Sequence, residues 1–209
     1  MSSTQVEPEP AAAIELFGDR IDLARRFADA LAQHGEERGL IGPLEPPRLW
    51  TRHILNCALA APLLRPGRVG DVGSGGGLPG LVLAIARPDV SFTLIEPMDR
   101  RVTWLNEQRA ALELSNVEVL RARAEEAPRF SFDQVTARAV SALRKLVPIT
   151  APLLRLGGEL VLLKGAGAQA EIDAAAKELR KHRVHDVEVL VLGEGVLAEV
   201  TRVIRATVN

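Results

Sequence analysis

A glycine-rich stretch, VGDVGSGGGLPG at residues 69–80, contains the residues of this sequence best suited to binding a cofactor. It places an acid, Asp71, at the end of a short apolar run and six glycines around and after it. Glycine permits positive φ angles and lets a ligand approach the backbone without a Cβ in the way. The stretch fits G-x-G-x-x-G from Gly75 to Gly80, and it also fits an acid followed by G-x-G-x-G at Gly73, Gly75 and Gly77. The first pattern is typical of NAD-binding proteins and the second of methyltransferases. The glycine pattern alone therefore does not decide between these two classes of protein.

A second acid, Glu96, ends the apolar run FTLIEP nineteen residues after Gly77. An acid at the end of the second strand of such a unit accepts hydrogen bonds from ribose hydroxyls. We therefore predict that Glu96 binds the ribose of the cofactor, although a solvated acid at a strand end is the alternative. A phosphate-binding P-loop is disfavoured because no G-K-[ST] follows the glycines.

Short apolar runs alternate with helical patterns after residue 67, which predicts a mostly parallel α/β sheet. The predicted strands cover residues 69–72, 92–95, 117–120, 134–137, 159–163, 188–192 and 199–205. The predicted helices between them cover residues 79–86, 99–112, 142–154 and 168–181. Only a turn, GEG, separates the last two strands, so they form an antiparallel hairpin. The predicted fold is a class I, Rossmann-like methyltransferase domain with seven strands.

Two amphipathic helices are predicted before this domain, over residues 11–34 and 48–64. We therefore divide the chain into a tail at 1–10, a helical extension at 11–66 and a cofactor-binding domain at 67–209. The tail combines Glu7, Glu9 and several prolines, a composition that predicts disorder.

Composition excludes several classes of protein. The net charge of −1 over 209 residues gives no overall signature of a nucleic-acid-binding protein, so such a partner would have to meet a local basic patch. We expect no membrane span and no signal peptide, and hence a cytoplasmic protein. The single cysteine, Cys57, excludes an internal disulfide and a cysteine-type zinc site, and we expect no metal.

Several motifs together resemble the RsmG (GidB) family of small-subunit ribosomal RNA guanine-N7 methyltransferases. The motifs are RHIL at 52–55, DVGSGGGLPG at 71–80, RPD followed by FTLIE, R-R-V-x-x-L from Arg100, R-x-E-E at 123–126, ARAV around Arg138, and LLKG ending at Gly165. The likeness runs from the second helix to the last hairpin. Two departures, Asn56 where the family often has Asp and Arg100 where it often has Lys, concern local RNA contacts.

The resemblance implies S-adenosylmethionine as the cofactor and ribosomal RNA, or the small ribosomal subunit, as the partner. In the family, the cofactor site is lined at the positions of Gly73, Leu78, Ala124, Glu125 and Arg138. Glu125 could also belong to a merely charged loop. With Gly75 and Glu96 from the patterns above, these residues form the predicted cofactor site.

Basic residues follow several predicted strands and could contact RNA. Arg100 and Arg101 open the helix after the second strand, and Lys164 follows the fifth. The carboxyl ends of parallel strands share one edge of a sheet, so we predict that these residues gather there with Arg138 and bind phosphates. Pairing of the two arginines with nearby acids is the alternative. His53 could also position RNA, although a packed or capping role suits its helix equally well.

We predict no side chain as a catalytic group. The chain reads DQVTARAVSA after the fourth strand and so lacks the Asn/Asp-Pro-Pro-Tyr/Phe motif used for exocyclic amines, and Cys57 lies on an apolar helix face. Guanine N7 already carries a free lone pair, so methylation there needs orientation rather than a general base. The alternatives are an enzyme of the same fold acting on a small molecule or protein, a nicotinamide oxidoreductase, and a non-catalytic RNA-binding scaffold.

Overall fold

The computed structural model describes residues 6–209 of the chain. Seven strands form one sheet: β1 (Arg68–Val72), β2 (Ser91–Ile95), β3 (Val117–Leu120), β4 (Phe132–Arg138), β5 (Leu154–Lys164), β6 (Val184–Leu192) and β7 (Thr201–Val208). The helices around it are α1 (Ala12–Phe17), α2 (Ile21–His34), α3 (Asn56–Ala58), α4 (Gly80–Ala86), α5 (Asp99–Ala111), α6 (Leu143–Thr150) and α7 (Ala168–Lys181).

The strand order is β3-β2-β1-β4-β5-β7-β6. Strands β1 to β5 pair in parallel, whereas β7 runs antiparallel to both β5 and β6. The predicted fold class is therefore confirmed, including the terminal hairpin. The chain winds outward in opposite directions from β1 and β4, and ligands bind in open α/β sheets at the carboxyl ends of strands beside such a switch point.

Both faces of the sheet are covered, as a parallel sheet requires. In β5 the side chains alternate: Leu160 and Leu162 pack with α6 and α7, whereas Val161 and Leu163 pack on the opposite face. That opposite face is covered by α4 and α5 together with the predicted helical extension. The extension and the sheet therefore share one hydrophobic core.

The first predicted helix, over residues 11–34, is interrupted in the structure. A 3-10 turn, Gly18–Arg20, separates α1 from α2, and Gly18 has a φ of 51°. Ile14 of α1 is 56% exposed, whereas one continuous amphipathic helix over residues 11–34 would place it on the apolar face. Phe27 and Leu31 of α2 are fully buried, so the prediction holds for the second part of the segment.

The second predicted helix, over residues 48–64, is also wrong as one continuous element. The chain forms a π-helical turn at Trp50–Leu55, continues into α3, and ends in a 3-10 turn at Ala61–Leu63 that contains Pro62. Proline lacks an N–H and cannot continue an α-helix, which explains the end of the segment. Single π-helical turns are frequent at functional sites.

Residues 1–5 of the predicted disordered tail lie outside the described residues, and residues 6–10 differ from that prediction. The backbone N–H of Glu7 donates to Pro46 (3.0 Å), and its carboxylate accepts the N–H of Thr51 (2.8 Å). Glu9 forms an ion pair with Arg25 at 2.6 Å. The acidic side chains suggested a solvated tail, but here they bind groups of the helical extension.

Several other boundaries differ from the prediction. The helix predicted over 142–154 ends at Thr150 and is followed by a 3-10 turn, Ala151–Leu153. β5 begins earlier than predicted because Leu154 pairs with Phe132 across an irregularity in register. β6 begins four residues earlier than predicted, β7 covers 201–208 instead of 199–205, and residues 193–200 connect the two strands, a longer segment than the predicted GEG turn.

Candidate cofactor and substrate site

The glycine loop connects β1 to α4 at the switch point of the sheet. Gly75 has a φ of 55°, and a Cβ added there would meet no atom closer than the Gly73 carbonyl oxygen at 3.7 Å. The space in front of this residue is therefore open. Gly80 has the opposite surroundings, since its added Cβ would collide with the side chains of Leu94 and Asp71. The loop thus presents bare backbone outward and packs closely against β1 and β2 behind.

Asp71, at the end of β1, is fully buried beneath the loop. Its Oδ2 atom accepts the N–H of Gly80 at 3.1 Å, whereas Oδ1 has no hydrogen-bond partner among the described residues. Burial, assisted by the nearby charge of Glu96, raises the pKa of Asp71 to about 7. The carboxyl group therefore fixes the start of α4 at a cost in desolvation.

Glu96, at the end of β2, is 2% exposed and faces the same loop. Its Oε2 atom accepts the N–H of Gly75 at 2.9 Å, and its Oε1 atom accepts the N–H of Met98 at 3.0 Å. A carboxylate oxygen has two lone pairs, so each oxygen retains capacity for one more donor. This arrangement is compatible with two ribose hydroxyls.

The other residues predicted to line the cofactor site lie around this edge. Ala124 is 7% exposed and begins a 3-10 turn, Ala124–Glu126, after β3. Glu125 is exposed on that turn, and Leu78 is half-buried against the core beneath the glycine loop. The segments that follow β1, β2 and β3 thus each contribute residues to the predicted cofactor site, as the parallel topology predicts.

Arg138, the last residue of β4, lies on the other side of the switch point. Its guanidinium donates to the Arg52 carbonyl oxygen at 3.1 Å, to Nδ1 of His53 at 2.9 Å and to Sγ of Cys57 at 3.2 Å. Burial raises the pKa of the Cys57 thiol despite this guanidinium. The thiol is therefore a poor nucleophile, in agreement with the sequence interpretation.

A cleft of about 870 Å³ opens beside Arg138, at the carboxyl ends of β4 and β5. Four cationic side chains line it, together with two carboxylates and the segment 139–142; the cations are Arg52, Arg138, Lys164 and Arg202. Val140 separates the cleft from the glycine loop, because a Cβ added at Gly73 would lie 2.8 Å from Cγ2 of Val140. The cleft is thus adjacent to the glycine loop, and it shares Arg138 with the predicted cofactor site.

The cleft carboxylates are engaged by cations. Glu171 accepts a hydrogen bond from Nζ of Lys164 at 2.8 Å and another from the N–H of Leu143 at 2.7 Å. Burial opposes its ionisation, but the bond from Lys164 and the Leu143 N–H hold the pKa of Glu171 below its usual value. Glu199 lies 3.6 Å from the Arg52 guanidinium.

The four residues predicted to contact RNA are not brought together. Lys164 lines the cleft, but its side chain is only 8% exposed and is paired with Glu171. Arg101 lies on the glycine-loop side, with Nη1 3.9 Å from Oε2 of Glu96. Arg100 is exposed near Gly39. The predicted cluster therefore divides between the two sides of the switch point.

His53 is packed inside the protein, which agrees with the packed role that the sequence left open beside RNA positioning. It is 8% exposed, and its ring lies between Arg138 and Glu45, whose Oε2 atom is 2.6 Å from Nε2. Burial, together with the positive charge of Arg138, lowers the pKa of His53 to about 4. Both ring nitrogens are engaged within the chain, so the structure places His53 behind Arg138 rather than at an RNA-facing surface.

Sequence reasoning missed Glu45, Glu199 and Arg202 as residues around the cleft, whereas Asn56, which lines it, was named as a departure that concerns RNA contacts. Glu45 belongs to the segment GLIGPLEPP, which the sequence presented only as a link between helices. Arg202 and Glu199 belong to the predicted hairpin, whose strand pattern carries no sign of a site. The adjacency of Arg52 and His53 in RHIL was the one available signal.

Two kinds of feature are absent from residues 6–209. No helix there is both long enough and apolar enough to cross a membrane. No three or more His, Cys, Asp or Glu side chains within residues 6–209 are grouped so that they could hold a metal ion.

Comparison with known proteins identifies the family to which this chain belongs. The model of the family "GidB: rRNA small subunit methyltransferase G" matches residues 20–200. Proteins named ribosomal RNA small subunit methyltransferase G are 75% identical in Leifsonia xyli subsp. xyli, with 98% of each chain covered, and 67% identical in Clavibacter michiganensis subsp. michiganensis, with 97% covered. A protein of the same name from Pseudarthrobacter chlorophenolicus is 54% identical over 96% of this chain and 94% of its own.

Solved structures share the fold at low sequence identity. An S-adenosylmethionine-dependent O-methyltransferase from Thermotoga maritima superposes with a TM-score of 0.61 at 14% identity, covering 87% of this chain and 70% of its own. TYW2 from M. jannaschii, solved in complex with AdoMet, gives a TM-score of 0.57 at 18% identity and covers 74% of each chain. These likenesses concern the fold alone.

Proposed function

Since this chain belongs to the GidB family of rRNA small subunit methyltransferase G proteins, we propose that it transfers a methyl group from S-adenosylmethionine to N7 of a guanine in 16S ribosomal RNA. The observation that carries this proposal is the near-full-length identity of 54–75% to proteins of that name. S-adenosylmethionine is the methyl donor, and ribosomal RNA is the acceptor. We also propose a cytoplasmic location, since that is where ribosomal RNA is modified in bacteria.

The residues at the switch point fit the cofactor. When bound, S-adenosylmethionine supplies an electrophilic methyl group on sulfur. The open backbone at Gly75 admits a ligand without a Cβ in the way, and Glu96 keeps lone pairs for ribose hydroxyls. Ala124 and Leu78 add small and apolar contacts at the same edge. These residues bind and orient the cofactor, and none of them needs to exchange a proton.

The chemistry of the cleft supports N7 as the acceptor atom. An exocyclic amine must lose a proton during methylation, whereas N7 attacks with a lone pair that is already free. The carboxylates that line the cleft among the described residues are Glu171 and Glu199, and each faces a cation. Neither is therefore a good general base. Orientation of N7 toward the methyl group supplies the catalysis.

The positive lining of the cleft supports RNA as the substrate. Although the net charge of the chain is −1, four cations and two carboxylates line this one concavity. A local excess of cations attracts the phosphate backbone and gives salt-dependent affinity. The small-molecule, nicotinamide and scaffold alternatives have no comparable support.

Methyl transfer from labelled S-adenosylmethionine to small subunits, and to their naked RNA, tests the proposal. N7-methylguanosine becomes sensitive to strand scission after reduction and aniline treatment, so the modified position can be mapped directly. We expect label in the RNA and a single cleavage site. Label without cleavage would assign another acceptor atom, and absence of label in both substrates would refute the function. Calorimetric titration with S-adenosylmethionine beside NAD tests the cofactor separately.

A further inference from the structure

Arg138 is held by one short element of the helical extension. Its three partners are the Arg52 carbonyl, the His53 ring and the Cys57 thiol, at 3.1, 2.9 and 3.2 Å. All three lie in the π-helical turn Trp50–Leu55 or in α3, which continues it. The conformation of this turn therefore fixes the guanidinium at the end of β4.

None of these three partners is an anion. Within residues 6–209, no carboxylate forms an ion pair with Arg138, in contrast to Lys164, which is paired with Glu171 at 2.8 Å. A guanidinium bound by a carbonyl, a neutral imidazole and a thiol keeps its full positive charge. Arg138 is thus fixed in position without being neutralised.

The carboxylate of Glu45 lies on the far side of His53 from Arg138, so the imidazole ring separates the two. A guanidinium has no acceptor, so Nδ1 of His53 must accept from Arg138 and the ring proton must reside on Nε2. Nε2 then donates to the Glu45 carboxylate at 2.6 Å. The Glu45 carboxylate also lies 3.3 Å from Nε of Arg52 and 3.1 Å from Nη2 of Arg48, so it forms ion pairs with these two arginines and not with Arg138.

We infer that His53 is a positioning residue for methyl transfer: it fixes the Arg138 guanidinium beside the glycine loop and the cleft, and it keeps Glu45 from neutralising it. The ligand group that Arg138 meets is an anionic oxygen, from either the cofactor carboxylate or an RNA phosphate. This inference rests on the proposed function and goes beyond it by assigning a role to His53 and Glu45. His53 acts through Arg138 and touches neither ligand.

A double-mutant cycle tests whether His53 acts through Arg138. His53→Ala, Arg138→Ala and the double variant are compared by single-turnover methylation rate, by affinity for the RNA, and by calorimetric affinity for S-adenosylmethionine. We expect His53→Ala to lower the same quantity that Arg138→Ala lowers, by at least about tenfold. In the Arg138→Ala background the same change should cost less than about twofold, since residues that act as a unit are non-additive.

Conservative variants separate positioning from general packing. The side-chain carbonyl of Asn can accept from Arg138 in place of Nδ1, so His53→Asn should recover most of the loss. Gln places its amide nearer the position of Nε2, so His53→Gln should recover little. His34→Ala, at the exposed end of α2, is the control for replacement of a histidine. Thermal unfolding of each variant shows whether it is folded, and the Asn and Gln pair carries the comparison should His53→Ala unfold.

The outcomes are distinct. The inference is overturned by equal effects of His53→Ala in both backgrounds, by equal activity of the Asn and Gln variants, or by an Arg138→Ala variant that behaves as the parent does. A change confined to cofactor affinity assigns the anionic oxygen to the cofactor, and a change confined to RNA affinity or rate assigns it to RNA. A parent chain that binds the cofactor but methylates no RNA refutes the proposed function alone, and the cycle is then read in cofactor affinity.

Discussion

The buried carboxylate of Glu96 accepts the backbone N–H of Gly75 at 2.9 Å and thereby joins the end of β2 to the loop that follows β1. The acid proposed to bind the cofactor ribose thus also holds the glycine loop in shape. Its two roles are therefore coupled, and removing the carboxylate affects both.

Glu96→Ala should weaken S-adenosylmethionine binding by at least about tenfold, because hydrogen bonds to a charged acceptor contribute roughly 1.5–3 kcal/mol each. Calorimetric titration measures the affinity. Glu118→Ala, at an exposed acid in β3, is the control and should bind as the parent does. A change of less than about twofold for Glu96→Ala would show that this acid does not touch the cofactor.

Gly75→Ala should abolish tight cofactor binding while the fold survives. An alanine at a φ of 55° costs about 1–2 kcal/mol of stability, and its methyl group enters the open space in front of the loop. Gly157→Ala is a matched control, because Gly157 has a φ of 72°, no atom within 4 Å of an added Cβ, and a position near the start of β5. Both variants should lose similar stability, measured by denaturant unfolding. If both bind S-adenosylmethionine equally well, the loop is not the cofactor site.

Asp71→Asn should change the pH dependence of stability in the cofactor-free protein. The pKa of Asp71 is about 7 in the folded chain and near its ordinary value of 3.8 when unfolded, so the folded state binds more protons between these values. Stability from this group is therefore highest at low pH and falls as pH rises through about 4 to 7. Relative to the parent, the variant should gain more than about 1 kcal/mol between pH 4 and pH 8. A difference in unfolding free energy that is independent of pH would contradict this assignment.

The cations of the cleft should differ in their contribution to RNA binding. Arg202 has no ion-pair partner among the described residues, whereas Lys164 is paired with Glu171. Arg202→Ala should lower the slope of log affinity against log salt by about 0.7–0.9, the value for one phosphate contact. Lys164→Ala should leave the slope unchanged and lower the melting temperature, since Glu171 loses its partner. Equal slopes for Arg202→Ala and the parent would exclude a phosphate contact at Arg202.

The part of the site that could be predicted from sequence consists of residues that lie in short local motifs. Asp71, Gly75 and Glu96 each lie at or just after the end of a recognisable strand. The parallel topology brings the ends of such strands to one edge of the sheet. Arg138 was predicted through resemblance to the family. For its partner His53 the sequence left RNA positioning and a packed role open, because nothing local shows that residues 85 positions apart meet. The break at Gly18 and the π-helical turn were missed for a related reason, since helical spacing specifies a face but not the continuity of a helix.

The packing of the helical extension behind the glycine loop has a consequence for mutational tolerance. A Cβ added at Gly76 would lie 3.3 Å from Leu40 and 3.7 Å from Leu31, and the Trp104 indole donates to the Gly76 carbonyl at 3.0 Å. Residues of α2 and of the segment after it therefore form the floor beneath the loop. Amino-acid changes that inactivate the protein should be scattered along these helices as well as around the ligands. Conversely, the extension cannot be exchanged for that of another methyltransferase as an independent module, because Leu31 and Leu40, which pack beneath the loop, would be removed with it.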